Sequence, residues 1–183
     1  MIEIMELLNR KIFLFHIVGV IFTIFLGSFL HFIYELSGFF KPVAIIGAVN
    51  ESTWEHLKIA FWPAFIFAII EYFAYGKNQK NFCFAKAKEL YIIPILIVLF
   101  FYGYTVFMNH NLFLDIFIFV LAIIIGFVTS YKILAWQRDF SKYKILAIGF
   151  IVIAVVVFSL LSYFPLENFL FLDPVTGSYG IPK

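Results

Sequence analysis

The run IFLFHIVGVIFTIFLGSFLHFIY, Ile12 to Tyr34, decides the fold. It carries no Asp, Glu, Lys or Arg, and as a helix rising about 1.5 Å per residue it spans the roughly 30 Å hydrocarbon core of a bilayer. Four further windows have the length and apolarity for a crossing: Trp54 to Tyr75, Leu90 to Met108, Leu112 to Leu134, and Ile145 to Phe164. The whole chain agrees with them. Its 183 residues are 64% hydrophobic and 13% charged, with a mean hydropathy of +1.03, so it carries more apolar surface than a soluble domain of this length can bury. The expectation is an all-α integral membrane helical bundle of about five transmembrane helices, one domain over residues 1–183. Its main partner is the lipid bilayer, and the protein is multi-pass in the cell membrane.

Five spans put the termini on opposite sides, and the basic residues set the direction. Arg10, Lys11, Lys77, Lys80, Lys86, Lys88, Lys132, Arg138, Lys142 and Lys144 fall on one side, against Lys41, Lys58 and Lys183 on the other. The N-terminus is therefore expected inside and the C-terminus, with the tail 165–183, outside. Arg10 and Lys11 ahead of an apolar run also look like a signal peptide. The run continues to His31 and Glu35 without an A-x-A-like site, so it reads as a retained first span.

Between the first two spans, Ser37 to Ser52 is interrupted by Gly38, Pro42 and Gly47 and is too short to cross. It either lies along the outer interface or is re-entrant, the latter requiring protein to satisfy its backbone. The tail keeps Phe169 to Leu172 beside the turn formers Asp173-Pro174 and Thr176-Gly177, and is expected to fold back onto the bundle. The net charge of +2 is small and dispersed, which sets nucleic acid aside. Cys83 is the only cysteine, which excludes an intrachain disulfide and a thiolate metal cage.

Histidines and carboxylates gather at the outer span ends: His31, Glu35, Glu51, Glu55, His56, His110 and Asp115. In the first span Gly19, Thr23, Gly27, His31 and Glu35 recur every fourth residue. Small residues in such a row let a second helix approach closely, either a neighbour in the bundle or a separate partner, and the row turns His31 and Glu35 inward. Before the second span, Ser52 and Glu55 have capping-box spacing, with Asn50 a rival cap. That leaves Glu51 and His56 unexplained. They are the candidate catalytic residues; Asn50, Glu55, His110 and Asp115 are candidate ligand-binding residues. His31, Glu35, Glu51 and His56 form a candidate metal set, since imidazole and carboxylate suit zinc, manganese or iron. Glu71 lies about 24 Å along the helix from Glu55. It is expected to snorkel to the inner headgroups near Lys77, the alternative being an internal path with His16. Trp54, Trp62 and Trp136 are read as interfacial anchors, and the 27 phenylalanines as lipid-facing bulk.

The run Val49-Asn50-Glu51-Ser52-Thr53-Trp54-Glu55-His56-Leu57-Lys58, followed by Phe61-Trp62-Pro63, resembles the signature of an uncharacterised family of small bacterial integral membrane proteins. The resemblance covers the first two spans and extends to Asp173-Pro174-Val175-Thr176-Gly177. It implies a membrane bundle and draws attention to Asn50 through His56, but supplies no activity. The leading functional expectation is an outer-face His/Glu pocket that binds a small-molecule or lipid ligand or a divalent metal such as zinc. Its enzymatic form is metal-assisted hydrolysis of an interfacial substrate. The alternatives are a small transporter or channel component with a polar path through the bundle, and a structural or regulatory subunit docking through Gly19, Thr23 and Gly27.

Overall fold

A computed structural model describes residues 2–136 and 138–181, with side chains from residue 9 onward. Lys183, in the outer basic count, lies outside the described residues, as do Met1, Gln137 and Pro182. The chain forms five α-helices among the described residues: α1 (Ile2–Leu36), α2 (Thr53–Ala74), α3 (Phe82–Thr105), α4 (Leu112–Ala135) and α5 (Lys144–Leu160). Four segments are long and apolar enough to cross a membrane: Asn9–Leu36, Thr53–Ala74, Leu112–Ala135 and Ser141–Leu160. These are the marks of a multi-pass membrane protein. The third helix starts eight residues before the window predicted from hydropathy, at Phe82 rather than Leu90, and so takes Lys86, Lys88 and Glu89 into its first two turns.

The first four helices pack as a ring, α1 on α2, α2 on α3, α3 on α4 and α4 on α1, while α5 docks against α3. The main core runs along α2, with Ala60, Phe61, Ala64 and Phe67 meeting Leu90, Ile93 and Ile97 of α3 and Ile123 and Phe127 of α4. Apolar side chains gain little by moving from lipid into such a core. Close packing and satisfied polar contacts therefore do most of the stabilising. Small residues set the approach of α1: a Cβ on Gly19 would stand 2.3 Å from the Phe127 ring and 2.6 Å from that of Phe67. The Gly19, Thr23 and Gly27 seam is thus spent on α2 and α4 of the same chain and is not free for a separate partner helix. The opposite face of α1 exposes Phe25, Phe29 and Phe32, as expected of lipid-facing bulk.

After α1 the chain turns through Gly38 and Phe39, both at positive φ (68° and 62°), and makes a short 3-10 helix, Lys41–Ile45. This segment packs on the helix ends: the Ala48 N–H donates to the Leu30 carbonyl at 3.1 Å, and the Tyr163 hydroxyl to that of Lys41 at 2.5 Å. The tail folds back as its sequence predicts. The Trp54 N–H donates to the Leu170 carbonyl at 2.8 Å, and Trp54 is sandwiched between Phe158 and Phe171, ring centroids 4.8 and 4.6 Å away. Asp173 closes the following turn by accepting from the Val175 N–H and the Thr176 hydroxyl. Trp54 and Trp62 are therefore core residues rather than interfacial anchors; only Trp136 is exposed.

Candidate functional site

His31, near the end of α1, His56, in the first turn of α2, and Glu51, in the loop entering α2, converge. Their donor atoms form a nearly regular triangle: His31 Nε2 to His56 Nε2 is 3.3 Å, His31 Nε2 to Glu51 Oε2 is 3.6 Å, and His56 Nε2 to Glu51 Oε2 is 3.7 Å. Among the described residues this is the group whose donor atoms approach closely enough to share one metal ion. The point equidistant from three such atoms lies about 2.1 Å from each, the length of a zinc–imidazole or zinc–carboxylate bond.

The local fold fixes one of these donors. His56 Nδ1 lies 2.9 Å from the Ser52 carbonyl one turn earlier. A carbonyl only accepts, so Nδ1 carries the hydrogen and Nε2 presents its lone pair to the triangle. That is the tautomer and the backbone support typical of a metal-ligating histidine. A single proton on His31 Nε2 would also satisfy the contact between the two rings. It would not account for the third donor at nearly the same separation. Both histidines are half-buried and Glu51 is exposed, so the triangle opens on one side toward solvent.

The other residues singled out in the sequence go elsewhere. Glu35 is exposed and outside the triangle. Each step of four residues advances about 40° around a helix, so a row that is buried at Gly19 has left the interior by Glu35. The buried stripe of α1 instead shifts to Gly27, Leu30 and Tyr34, leaving His31 at its margin. His110 and Asp115 pair with each other at 2.7 Å, and the Tyr104 hydroxyl donates to Asp115 at 2.5 Å. They close the α3–α4 turn and do not complete the triangle. Asn50 is a loop clamp: its carbonyl oxygen accepts from the Ser52 N–H at 2.9 Å and its amide donates to the Gly180 carbonyl at 2.8 Å.

Glu55 is not a capping-box residue. Ser52 is the N-cap of α2 but makes no side-chain cap hydrogen bond. Glu55 is fully buried and ion-paired with Lys58. It also accepts from the Val49 N–H at 3.1 Å and the Ser162 hydroxyl at 2.7 Å. Lys58 donates to Ser162 as well, and at 2.8 Å to the Ala44 carbonyl. A buried ion pair outcompetes the cap because its lysine would otherwise be an uncompensated charge in apolar surroundings.

Glu71 also departs from expectation. It is fully buried, ion-paired with Lys86, and accepts from the Tyr75 hydroxyl at 2.5 Å. His16 Nδ1 lies 3.5 Å from it. Glu89, also fully buried, takes Lys86 at 2.7 Å. A headgroup position is excluded because Lys86, drawn into the bundle by the early start of α3, neutralises Glu71 in place. Sequence reasoning missed Lys58, Lys86, Glu89 and Ser162. The available signal was the pair of acid–base spacings Glu55-x2-Lys58 and Lys86-x2-Glu89 at the ends of apolar helices, where residues three apart share a face.

The two polar regions sit at opposite ends of the bundle, with the Gly19, Phe67 and Phe127 layer between them. In that interval the Thr23 hydroxyl is buried with no hydrogen-bond partner, and no polar chain joins the regions among the described residues. No curated protein and no solved structure matches the chain. A family model described as a family of unknown function, DUF6512, matches residues 4–181. The chain therefore belongs to DUF6512 over nearly its whole length.

Proposed function

We propose that this is a multi-pass protein of the cell membrane whose outer face binds one divalent transition-metal ion, best zinc, through His31, Glu51 and His56. The carrying observation is the triangle of donor atoms with sides of 3.3, 3.6 and 3.7 Å, its His56 ligand oriented by the Ser52 carbonyl. Three protein ligands and an open side are the pattern of a site that keeps a coordination position for water or a ligand. The outer placement rests on the basic residues. Lys58 and Lys86 are buried in ion pairs, so they drop out of the count, and the asymmetry between the two ends remains.

In this reading Glu51 and His56 act as ligands rather than as acid or base. A metal-bound water is acidified by the ion itself, which makes hydrolysis of a substrate at the membrane surface the enzymatic form of the site. The carboxylates nearby offer it little further help. Glu55 is committed to Lys58 and Ser162, and Glu35 is exposed and outside the triangle. Metal binding is therefore the primary reading, and hydrolysis follows only if the bound water proves reactive.

Elemental analysis of the purified protein in detergent tests the reading, after stripping and reloading with zinc. About one zinc per chain is expected in the unmodified protein, with loss in both His31→Ala and His56→Ala. Equal zinc content in all three, or none in the unmodified protein, would sink it.

A further inference from the structure

We infer that the buried cluster of His16, Glu71, Lys86 and Glu89 binds one exchangeable proton, shared between His16 and Glu89, at the end of the bundle remote from the metal triangle. The inference is independent of the metal site and begins from charge. Four helices contribute the groups that face one another here: His16 from α1, Glu71 from α2 with Tyr75 just past its end, Lys86 and Glu89 from α3, and Ser130 and the ring of Tyr131 from α4. Glu71, Glu89 and Ser130 are fully buried, and Lys86 and His16 very nearly so.

Two carboxylates face one ammonium. With His16 neutral, the cluster carries one surplus negative charge in a setting where an uncompensated ion costs several kcal/mol. One added proton removes it. The hydrogen bonds show where that proton can sit. Lys86 serves both acids, pairing with Glu71 and lying 2.7 Å from Glu89 Oε2. The Tyr75 hydroxyl serves Glu71 again. Glu71 Oε2 and Glu89 Oε1 both lack a hydrogen-bond partner, but Glu71 Oε2 is the oxygen paired with Lys86, which leaves Glu89 Oε1 the least compensated of the four carboxylate oxygens.

The second seat is His16. Its Nδ1 lies 2.8 Å from the Ile12 carbonyl and must donate to it, leaving Nε2 as the basic atom. Nε2 faces the Ser130 hydroxyl at 3.4 Å, and that hydroxyl also lies beside Glu89. A transfer balances without a further reactant. The proton leaves His16 Nε2 for Ser130 Oγ as the serine's own hydrogen passes to the Glu89 carboxylate, and the reverse step restores both. The Phe67 and Phe127 layer closes the cluster off from the His31 end. Exchange with solvent therefore runs through the end where Lys11 holds the Ala74 carbonyl.

Infrared difference spectroscopy on the full-length protein in nanodiscs, taken between alkaline and acidic buffer, reads this proton directly. Expected is a carboxylic-acid carbonyl band that grows on acidification, shifts with carbon-13 glutamate labelling, and disappears in Glu89→Gln. Absence of any such band in the unmodified protein across the pH range in which it stays folded overturns the inference, whatever the variants do. A band that survives in Glu89→Gln overturns it as well, by placing the proton on another glutamate.

Discussion

Gly27 of α1 lies directly against the backbone carbonyl of Ile59 in α2: a Cβ on the glycine would stand 2.7 Å from that oxygen. Ile59 is four residues before Pro63, which has no N–H to offer, so this is the one carbonyl in the middle of α2 that the helix cannot satisfy itself. A glycine there lets the neighbouring backbone cover the oxygen, where weak Cα–H donors can approach it. The unsatisfied carbonyl and the packing seam are one feature.

Gly27→Ala is expected to force α1 and α2 apart, because the obstacle is backbone and cannot rotate away. Overpacking of this kind costs about 1–3 kcal/mol, and the thermal midpoint in detergent should fall by several degrees. An unchanged midpoint would show that the helices separate freely at this point.

Zinc affinity should weaken as pH falls, because protons compete with the metal for the two imidazoles and the carboxylate. A competition titration with a chromophoric chelator measures this. Glu51→Gln keeps the shape of the third ligand but removes its charge, and should weaken binding at least tenfold, about 1.4 kcal/mol. Affinity that is flat with pH would point away from histidine ligation.

Four of the five expected spans were legible because apolar length is a strong signal, whereas α3, with Lys86, Lys88 and Glu89 near its start, is not among the segments long and apolar enough to cross. The tail's return was legible from its apolar run beside turn residues. Three of the four residues of the metal set meet for a reason that the sequence only half showed. His31 and His56 sit at the facing ends of consecutive helices, while Glu35 left the row because a four-residue period drifts around the helix. The buried ion pairs were not legible as such. Lys58 and Lys86 read as ordinary flanking cations, since the start of α3 and the depth of each lysine depend on tertiary packing. Glu55 shows the same limit, its cap spacing being real but overruled by a lysine one turn away.

The Glu55–Lys58 pair should respond asymmetrically to mutation. Lys58→Met leaves the Glu55 carboxylate buried without its cation and should cost about 3–5 kcal/mol, whereas Lys58→Met combined with Glu55→Gln should recover much of that loss. Thermal unfolding of both variants in the same detergent checks it. A double variant no better than the single one would mean that hydrogen bonds to Ser162 and Val49, rather than charge compensation, are what Glu55 contributes.

Phe171 ties the tail to the bundle through Trp54, and its removal should loosen both. The Trp54 ring is held between Phe158 and Phe171 at interplanar angles of 16° and 20°, and Phe171 is itself buried. Phe171→Ala opens one face of the indole and leaves a cavity, at a cost of about 3–5 kcal/mol. Because the Trp54 N–H is also bonded to the Leu170 carbonyl, the loss should extend to the α2 entrance that carries His56. Fluorescence measured in a Trp62→Phe, Trp136→Phe background should shift to longer wavelength as Trp54 meets water or headgroups. Zinc affinity in the same variant should fall without any ligand having been touched. A red shift with unchanged zinc affinity would show that the tail packs on Trp54 without helping to hold the metal triangle in place.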